Sequence, residues 1–522
     1  MNPVALTEGF RPYVWSPSSA EVAERHGLRP EQVLRFDQNT SPLPGVPQVP
    51  LAQSFARLNE YPDGTYRELR EAAAAYCGVE ADQITVGAGA DELIELCART
   101  YLAPGRRSAI SAPTYGLYRI ATELAGGDWS AERDGAAVIW ICNPNNPTGE
   151  LLAAEEVAAV ARAHPEAVIV VDEAYFEFAN VSCAPLIAEL PNVVVLRTLS
   201  KAFGFAALRV GYAVAAPAVA RELELRRSPA SVSAPAARLA AAALRDPRFD
   251  VEATIAERER VRRALGAAGH DCPASAGNFV FVRTDEPLGE RLEEQGLVVR
   301  VFAEGVRITM RRPAENDVLL AALGADVEPG SGRTAYVTRV STETALRISL
   351  DLDGTGNGLV RTGIGFLDHL LTLWAFHGGF ELELVAGGDL DVDEHHTVED
   401  VLAALGDAVA QALAGREGVA RYGSAIVPMD EARATVAVDL VRRPHAEVQL
   451  AFGGDRVGGL SVSLLAHALE RFALAGGFTL HVEAAGSDDH HIAEAAFKAL
   501  GQALRQACTP GGDGVRSTKG LA

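Results

Sequence analysis

The sequence predicts an α/β protein followed by a duplicated α+β unit, and three observations carry that expectation. Strand-like apolar runs alternate with alanine-rich helical stretches as far as Leu323; a Gly-, Pro- and Ser-rich segment then breaks the pattern; and beyond it the pattern HHxxxE occurs twice, 95 residues apart. In chain order, Ile84 to Val86 precedes a helical stretch from Asp91 to Tyr101. Val138 to Cys142 precedes one from Ala153 to Ala163, and Ala167 to Val171 opens a third pair. That alternation is the sign of an α/β sheet. The helical pattern Val318 to Leu323 stops at Gly324, and an alternating strand pattern begins at Thr334. We therefore expect domains at 1–325 and 334–522 with a linker at 326–333. In the second, His395-His-Thr-Val-Glu399 and His490-His-Ile-Ala-Glu494 each precede an alanine-rich helix. His369 lies 26 residues before the first motif and His467 lies 23 before the second, so a duplicated half-domain is the economical reading.

The composition excludes several classes. With 48% hydrophobic and 22% charged residues the chain is globular, neither disordered nor fibrous. No apolar run reaches the roughly 18 residues of a membrane helix, and MNPVALTEGFRP lacks the regions of a signal peptide, so a soluble cytoplasmic protein is expected. Six cysteines without a CxxC pair imply neither a disulfide framework nor a thiolate zinc site. The net charge is −22, shared as −12 over 1–330 and −10 over 331–522, so neither part looks like a nucleic-acid binder.

Two residue types are unevenly used. Only three of the 47 basic residues are lysine (Lys201, Lys498 and Lys519), and only lysine can lose a proton near neutral pH and attack a carbonyl. Nine of twelve histidines lie after residue 333, which points to metal ligands there.

Lys201 stands at the exit of the strand-like run from Val193, with Arg209 eight residues on. The Ala167–Asp172 strand ends in a carboxylate with Tyr175 three residues later, and Asn143–Gly149 is a turn-rich loop after another strand. Residues at the carboxyl ends of neighbouring strands share one crevice. In HHxxxE, the first His and the Glu share a helix face while the middle His points about 100° away. One motif therefore feeds two metals more easily than it wraps one. Imidazole with carboxylate and no thiolate suits Mn, Fe or Zn.

The motifs YPDGTY, GAGADELIEL, APTYGLY, NPNNPTG, VDEAY and TLSKAFGFAALRVG resemble those of the fold-type I pyridoxal-phosphate aminotransferases, and within them the histidinol-phosphate aminotransferases, over residues 10–323. The resemblance implies a large α/β/α domain with a small α+β domain. It implies that Lys201 bonds to the aldehyde of pyridoxal 5'-phosphate and moves the substrate proton, while Asp172 pairs with the ring nitrogen. Asn146 and Tyr175 would meet the ring hydroxyl, and Tyr115 the ring face. Thr198, Ser200, Arg209 and the backbone N–H groups of Ala90 and Asp91 would hold the phosphate, as a helix N-terminus can. Tyr61 would reach the cofactor of a second subunit, implying a homodimer. Tyr13, Arg300 and Arg307 would bind substrate. Two segments depart from the family pattern: its Asn-Glu-Asn-Pro element reads Asp37-Gln-Asn-Thr-Ser-Pro42, and Arg300 and Arg307 lie closer together than usual.

Residues 333–522 resemble imidazoleglycerol-phosphate dehydratase, through LDLDGTGNGLVRTGIGFLDHLL, DEHHTVEDV, RYGSAIVPMDEA, HHIAEAAFKALGQAL and GVRSTKG. The resemblance implies two Mn2+ per site, drawn from His369, His395, His396, Glu399, His467, His490, His491 and Glu494, and completed between subunits of a large assembly. Metals answer a chemical need, because dehydration removes a C2 proton that no neighbouring carbonyl acidifies. Glu343 and Glu494 are both candidates for the base, and Arg421, Arg443, Ser517 and Lys519 for the substrate phosphate. His377, His445 and His481 read as structural histidines and Lys498 as a helix-surface lysine.

The two resemblances together imply a bifunctional histidine-biosynthesis enzyme. It would dehydrate imidazoleglycerol phosphate to imidazole-acetol phosphate and transaminate that product with glutamate, giving histidinol phosphate and 2-oxoglutarate. Two alternatives stay open at this point: an aromatic or broad-specificity aminotransferase beside a true dehydratase, or one half serving as a silent scaffold.

Overall fold

The computed structural model describes residues 9–42, 54–55, 57–249, 251–326, 332–413 and 418–511. The expected linker falls largely on 327–331, and Ser517 and Lys519 on the last segment, all outside the described residues.

The first module is built on a seven-stranded sheet. Its spatial order is Ile84–Gly87, Gly211–Ala215, Val193–Thr198, Val168–Asp172, Val138–Cys142, Arg107–Ile110 and Asp128–Ser130. Only Gly211–Ala215 runs antiparallel to its neighbours. Helices cover both faces, so alternate residues enter two separate cores. Ile139, Ile141, Ile169, Val171, Val193 and Val195 pack on one side, and Val138, Trp140, Val170, Val194 and Leu196 on the other. This two-sided burial makes the strands near-continuous apolar runs. A smaller domain carries the antiparallel strands Phe279–Arg283, Gly305–Thr309 and Arg300–Phe302.

The second module repeats one unit twice. Strands Thr334–Val340, Thr344–Asp351, Glu381–Gly388 and Gly358–Arg361 form one sheet, and Tyr422–Met429, Ala432–Asp439, Thr479–Ala485 and His445–Leu450 form another with the same order. Four helices, Gly365–Gly378, His395–Ala412, Val462–Gly476 and Asp489–Cys508, share a single core with the inner faces of both sheets.

The helices pair across the repeat. His395–Ala412 packs against Val462–Gly476, and Gly365–Gly378 against Asp489–Cys508. Two glycines eleven residues after each motif's first histidine permit this approach. A Cβ on Gly406 would stand 2.4 Å from the Phe472 carbonyl oxygen, and one on Gly501 2.4 Å from that of Trp374.

The modules touch along the outer face of the first four-stranded sheet. Arg312 Nη1 donates to Ser349 Oγ (2.7 Å), Arg347 Nη1 to the Val33 carbonyl (3.1 Å), and Arg29 Nη2 to the Ser341 carbonyl (3.0 Å).

Candidate active sites

The first site gathers at the carboxyl ends of the parallel strands. Val193–Thr198 is buried throughout and delivers Lys201 at its exit, with Lys201 Nζ 5.6 Å from the Tyr175 ring centroid. Burial, reinforced by the Arg307 guanidinium, lowers the Lys201 amine to about 8, so an appreciable fraction is uncharged and nucleophilic near neutral pH.

Asp172 ends the adjoining strand as a buried carboxylate. Its Oδ2 accepts the Tyr118 hydroxyl at 2.7 Å and its Oδ1 the Ala174 N–H at 3.1 Å. Burial pushes Asp172 up to about 6 against the pull of these two donors. Tyr118 is fully buried and stacks on Trp140, with ring centroids 5.1 Å apart. The sequence reading missed this residue, although it sits one helical turn beyond Tyr115.

The anion-binding groups lie beside the start of the helix Gly89–Tyr101. Thr198 Oγ1 and Ser200 Oγ are 2.9 Å apart, Arg209 Nη1 is 3.5 Å from Ser200 Oγ, and Arg209 Nη2 pairs with Asp91 Oδ2 at 2.8 Å. Tyr115 donates to the other oxygen of Asp91 at 3.0 Å. Gly89 is required twice over, because its φ is +79° and a Cβ there would stand 2.7 Å from Arg209 Nη2. Gly211 is equally constrained, since its Cβ would fall 3.0 Å from the Ala90 nitrogen.

The segment that departs from the family pattern serves the same crevice. Asn39 Nδ2 donates to the Tyr175 hydroxyl oxygen at 2.8 Å, and Arg307 bridges the Asn146 side-chain oxygen (2.6 Å) to the Asp37 carbonyl (2.5 Å). Asn39 was a second omission of the sequence reading. Arg300 and Arg307 are directly opposed on antiparallel strands, which puts them on one face despite their short separation. Arg307 is buried and its Nε has no partner among the described residues, as expected of a group awaiting an anion. Arg300 lies 5.6 Å over the Tyr13 ring. Tyr61 is 91% exposed.

The residues fit the expected cofactor: a buried carboxylate for a ring cation, a partly deprotonated lysine for an aldehyde, and hydroxyls with a guanidinium at a helix start for a phosphate. For Asp172 the sign of the pH effect is definite. Its folded-state value lies above the unfolded 3.8, so the penalty for burying the charge is absent below about pH 4 and complete well above pH 6, at roughly 3 kcal/mol. We expect Asp172→Asn apoprotein to exceed the parent in denaturant-unfolding stability at pH 8, with the gap closing toward pH 4; a gap of equal size at both pH values contradicts this.

The second site consists of two side-chain clusters related by the repeat, each with its ligand atoms within 4.8 Å of one another. His369, His490 and Glu494 form one: Glu494 Oε1 is 2.6 Å from His369 Nε2 and 3.1 Å from His490 Nε2. His395, Glu399 and His467 form the other: Glu399 Oε2 is 3.4 Å from His395 Nε2 and 3.2 Å from His467 Nε2. Each cluster joins one motif to the upstream histidine of the opposite half, the consequence of the cross-paired helices. Two imidazoles and a carboxylate form a partial coordination shell that suits Mn, Fe or Zn.

Each carboxylate is held from behind by a cation. Lys498 Nζ donates to Glu494 Oε2 at 2.6 Å, and Arg471 Nε lies 3.0 Å from Glu399 Oε1. Lys498 is thus not the helix-surface lysine of the sequence reading; its side chain is 14% exposed and packs against Met429. The Glu494-to-Lys498 spacing of four was the available signal. Burial works to raise Glu494, yet Lys498, His369 and His490 bring it down to about 2.

The middle histidines stand outside both clusters. His396 Nδ1 is 3.0 Å from Asp389 and 3.9 Å from Glu343, and His491 Nδ1 is 2.9 Å from Glu431. Tying Nδ1 to a carboxylate leaves Nε2 to ligate, with the His491 Nε2 3.9 Å from Asp430 Oδ2. Arg421 forms a bidentate pair with Asp439 (2.7 and 3.0 Å), and Arg443 is exposed nearby. Both lie at the far end of the strand from the Glu431 turn, about 25 Å away at 3.4 Å per residue, so one chain does not bring them to the clusters. His445 and His481 are exposed neighbours with ring centroids 6.0 Å apart, and His377 is half-buried beside Phe376.

Fold and sites together define an enzyme of two modules, one an α/β transferase with a reactive lysine and the other a duplicated domain with paired His/Glu clusters. The aminotransferase class I and II family model matches residues 31–323, and the imidazoleglycerol-phosphate dehydratase model matches 362–504. The chain therefore belongs to the aminotransferase class I and II family through its first module and to the imidazoleglycerol-phosphate dehydratase family through its second. An imidazoleglycerol-phosphate dehydratase of Chloroflexus aurantiacus is 50% identical over 193 residues, 36% of this chain and 94% of that protein. A histidinol-phosphate aminotransferase of Pseudomonas fluorescens is 36% identical over 351 residues, 60% of this chain and 94% of that protein. The solved histidinol-phosphate aminotransferase of Sinorhizobium meliloti, in complex with pyridoxal-5'-phosphate, is 27% identical with a TM-score of 0.55, covering 60% of this chain and 94% of its own. No helix among the described residues is long and apolar enough to cross a membrane.

Proposed function

We propose that the chain catalyses two consecutive steps of histidine biosynthesis: dehydration of imidazoleglycerol phosphate to imidazole-acetol phosphate in the module after the 326–333 linker, and transamination of that product with glutamate in the module before it. The observation that carries this reading is the presence in one chain of the Lys201 site and two His/Glu clusters, in modules matched by the aminotransferase class I and II and the imidazoleglycerol-phosphate dehydratase families.

In the first site, bound pyridoxal phosphate supplies an aldehyde and an electron-withdrawing ring. Lys201 would hold that aldehyde through Nζ and would carry the proton lost from the substrate's α-carbon, which its lowered pKa suits it to do near neutral pH. Asp172, braced by Tyr118, keeps a negative charge opposite the ring nitrogen. Asn146 and Tyr175, fixed by Arg307 and Asn39, orient the ring, and Arg209, Ser200 and Thr198 hold its phosphate. Arg307 and Arg300, with Tyr13, take the anionic ends of the two substrates in turn. Tyr61, exposed in one chain, reaches the site of a second copy, so the working unit of this module is a dimer.

In the second site, bound Mn2+ supplies Lewis acidity to the substrate imidazole. His369, His490 and Glu494 would hold one ion and His395, Glu399 and His467 the other. His396 and His491 would complete the ion sites of neighbouring subunits, and Arg421, Arg443, Ser517 and Lys519 would bind the substrate phosphate across the same larger assembly. Lys498 holds Glu494 ionised and ligating, which leaves Glu343 as the carboxylate that moves the proton. Both substrates are charged phosphate esters retained inside the cell, consistent with work in the cytoplasm.

The buried Arg307 and nearby Arg300 favour a doubly anionic acceptor over an aromatic one. Purified protein should therefore convert imidazole-acetol phosphate with a kcat/KM at least about 100-fold above that for phenylpyruvate. Equal use of the two ketones would establish the broad-specificity alternative.

A further inference from the structure

We propose that Arg29, a residue of the aminotransferase module, is a positioning residue for the dehydratase: it pins the turn Ser341–Glu343 and so holds Glu343 in front of His396. This rests on the reading of Glu343 as the dehydratase's proton-moving carboxylate.

The internal repeat provides the control. In the second half, strands Tyr422–Met429 and Ala432–Asp439 are joined by the tight pair Asp430–Glu431, with Asp430 in the left-handed region at φ +48°. The Glu431 carboxylate is held from the start of the helix Asp489–Cys508. Glu431 accepts the Asp488 N–H at 2.9 Å through one oxygen and faces His491 Nδ1 at 2.9 Å through the other.

The corresponding turn in the first half is the pair Thr342–Glu343, closed by the Ser341 N–H donating to the Thr344 carbonyl at 2.8 Å. Glu343 stands 3.9 Å from His396 Nδ1, its side chain is half exposed, and its only ties within the turn are through Ser341, whose Oγ accepts the N–H groups of Glu343 (3.2 Å) and Thr344 (2.9 Å). Nothing in the turn itself reproduces the double hold on Glu431.

Arg29 supplies what is missing. Its guanidinium reaches across the module boundary to the carbonyl oxygens of Ser341 (3.0 Å) and Thr342 (3.5 Å), the two peptide groups immediately before Glu343. Its own backbone is set by the Gln32 side chain, which accepts the Arg29 N–H at 2.9 Å. Arg29, Glu31, Thr342, Glu343 and Asp389 line one cavity of about 370 Å³, so the aminotransferase module forms a wall beside His396 and its partner Asp389. Both Arg29 contacts are made by Nη2, the Ser341 carbonyl being the close acceptor and the Thr342 carbonyl the distant one.

The test uses the full-length protein with Mn2+. Glu343→Gln is expected to lower dehydration about 100-fold, and Arg29→Met to lower its kcat/KM about tenfold, the scale of a small misplacement of a reacting group. Arg29→Lys should recover most of that loss, and the double variant should be no slower than Glu343→Gln alone, because Arg29 acts only through Glu343. Transamination should be unchanged. As a readout independent of activity, amide exchange at Glu343 and Thr344 should accelerate in Arg29→Met while Glu431 and its neighbours do not change. The inference is overturned if Arg29→Met leaves dehydration within about twofold of the parent, or if its loss multiplies that of Glu343→Gln in the double variant. If Glu343→Gln is itself fully active, the role given to Glu343 falls first, and the positioning role with it.

Discussion

Lys201→Arg is expected to lower transamination by at least about 10³-fold, the range lost with a positioned proton-transfer group, while dehydration by the same preparation is unchanged. Arginine keeps the length and charge, but it stays protonated at any pH the protein survives and cannot attack an aldehyde. Lys201 does the opposite: burial and Arg307 bring it to about 8. The protein should accordingly lose its visible absorbance band with pyridoxal phosphate. In the parent, the rate of cofactor uptake by apoprotein should climb through about pH 8, because the raised value of an ordinary lysine would delay that rise to above 10. A variant that retains the band and the activity removes Lys201 from the chemistry.

Glu399→Gln and Glu494→Gln are each expected to reduce bound Mn2+ by one of the two ions the paired clusters would hold, and to lower dehydration at least about 100-fold with transamination intact. Each substitution keeps the shape of the ligand and removes its charge. In Glu494→Gln the consequence extends to Lys498, which then faces no anion with its side chain only 14% exposed, so that variant should also lose stability. Metal analysis of the two purified variants checks the first effect and thermal unfolding the second. Retention of full Mn2+ by both would contradict the cluster assignment.

How much of this was legible in the sequence follows from the range of each interaction. The alternating strands and helices are local patterns, and the structure carries them as a mainly parallel sheet buried on both faces. The repeat was equally visible, since HHxxxE and the two glycines eleven residues on recur at one spacing. Its cross-pairing was not, because whether His369 meets its own motif or the other depends on which helices pack together, and that is decided by Gly406 and Gly501. Tyr118 and Asn39 act through Asp172 and Tyr175, contacts made across 54 and 136 residues that no spacing announces. Lys498 differs from these. Its partner lies four residues away on the same helix, and it was misread because a helix lysine is so often a surface charge.

The short Arg300–Arg307 separation is explained by a hairpin that sets the two directly opposite. The distance from Arg421 to the clusters is a different matter: it follows from the length of the strand Tyr422–Met429, which separates Arg421 from the Glu431 turn.

The most direct test of the central claim is a single reaction. Purified full-length protein with Mn2+ and pyridoxal phosphate is given imidazoleglycerol phosphate and glutamate, and products are followed by mass spectrometry. The account predicts histidinol phosphate and 2-oxoglutarate in equal amounts, with imidazole-acetol phosphate appearing first. Accumulation of imidazole-acetol phosphate without histidinol phosphate, or no consumption of the starting phosphate at all, would contradict it.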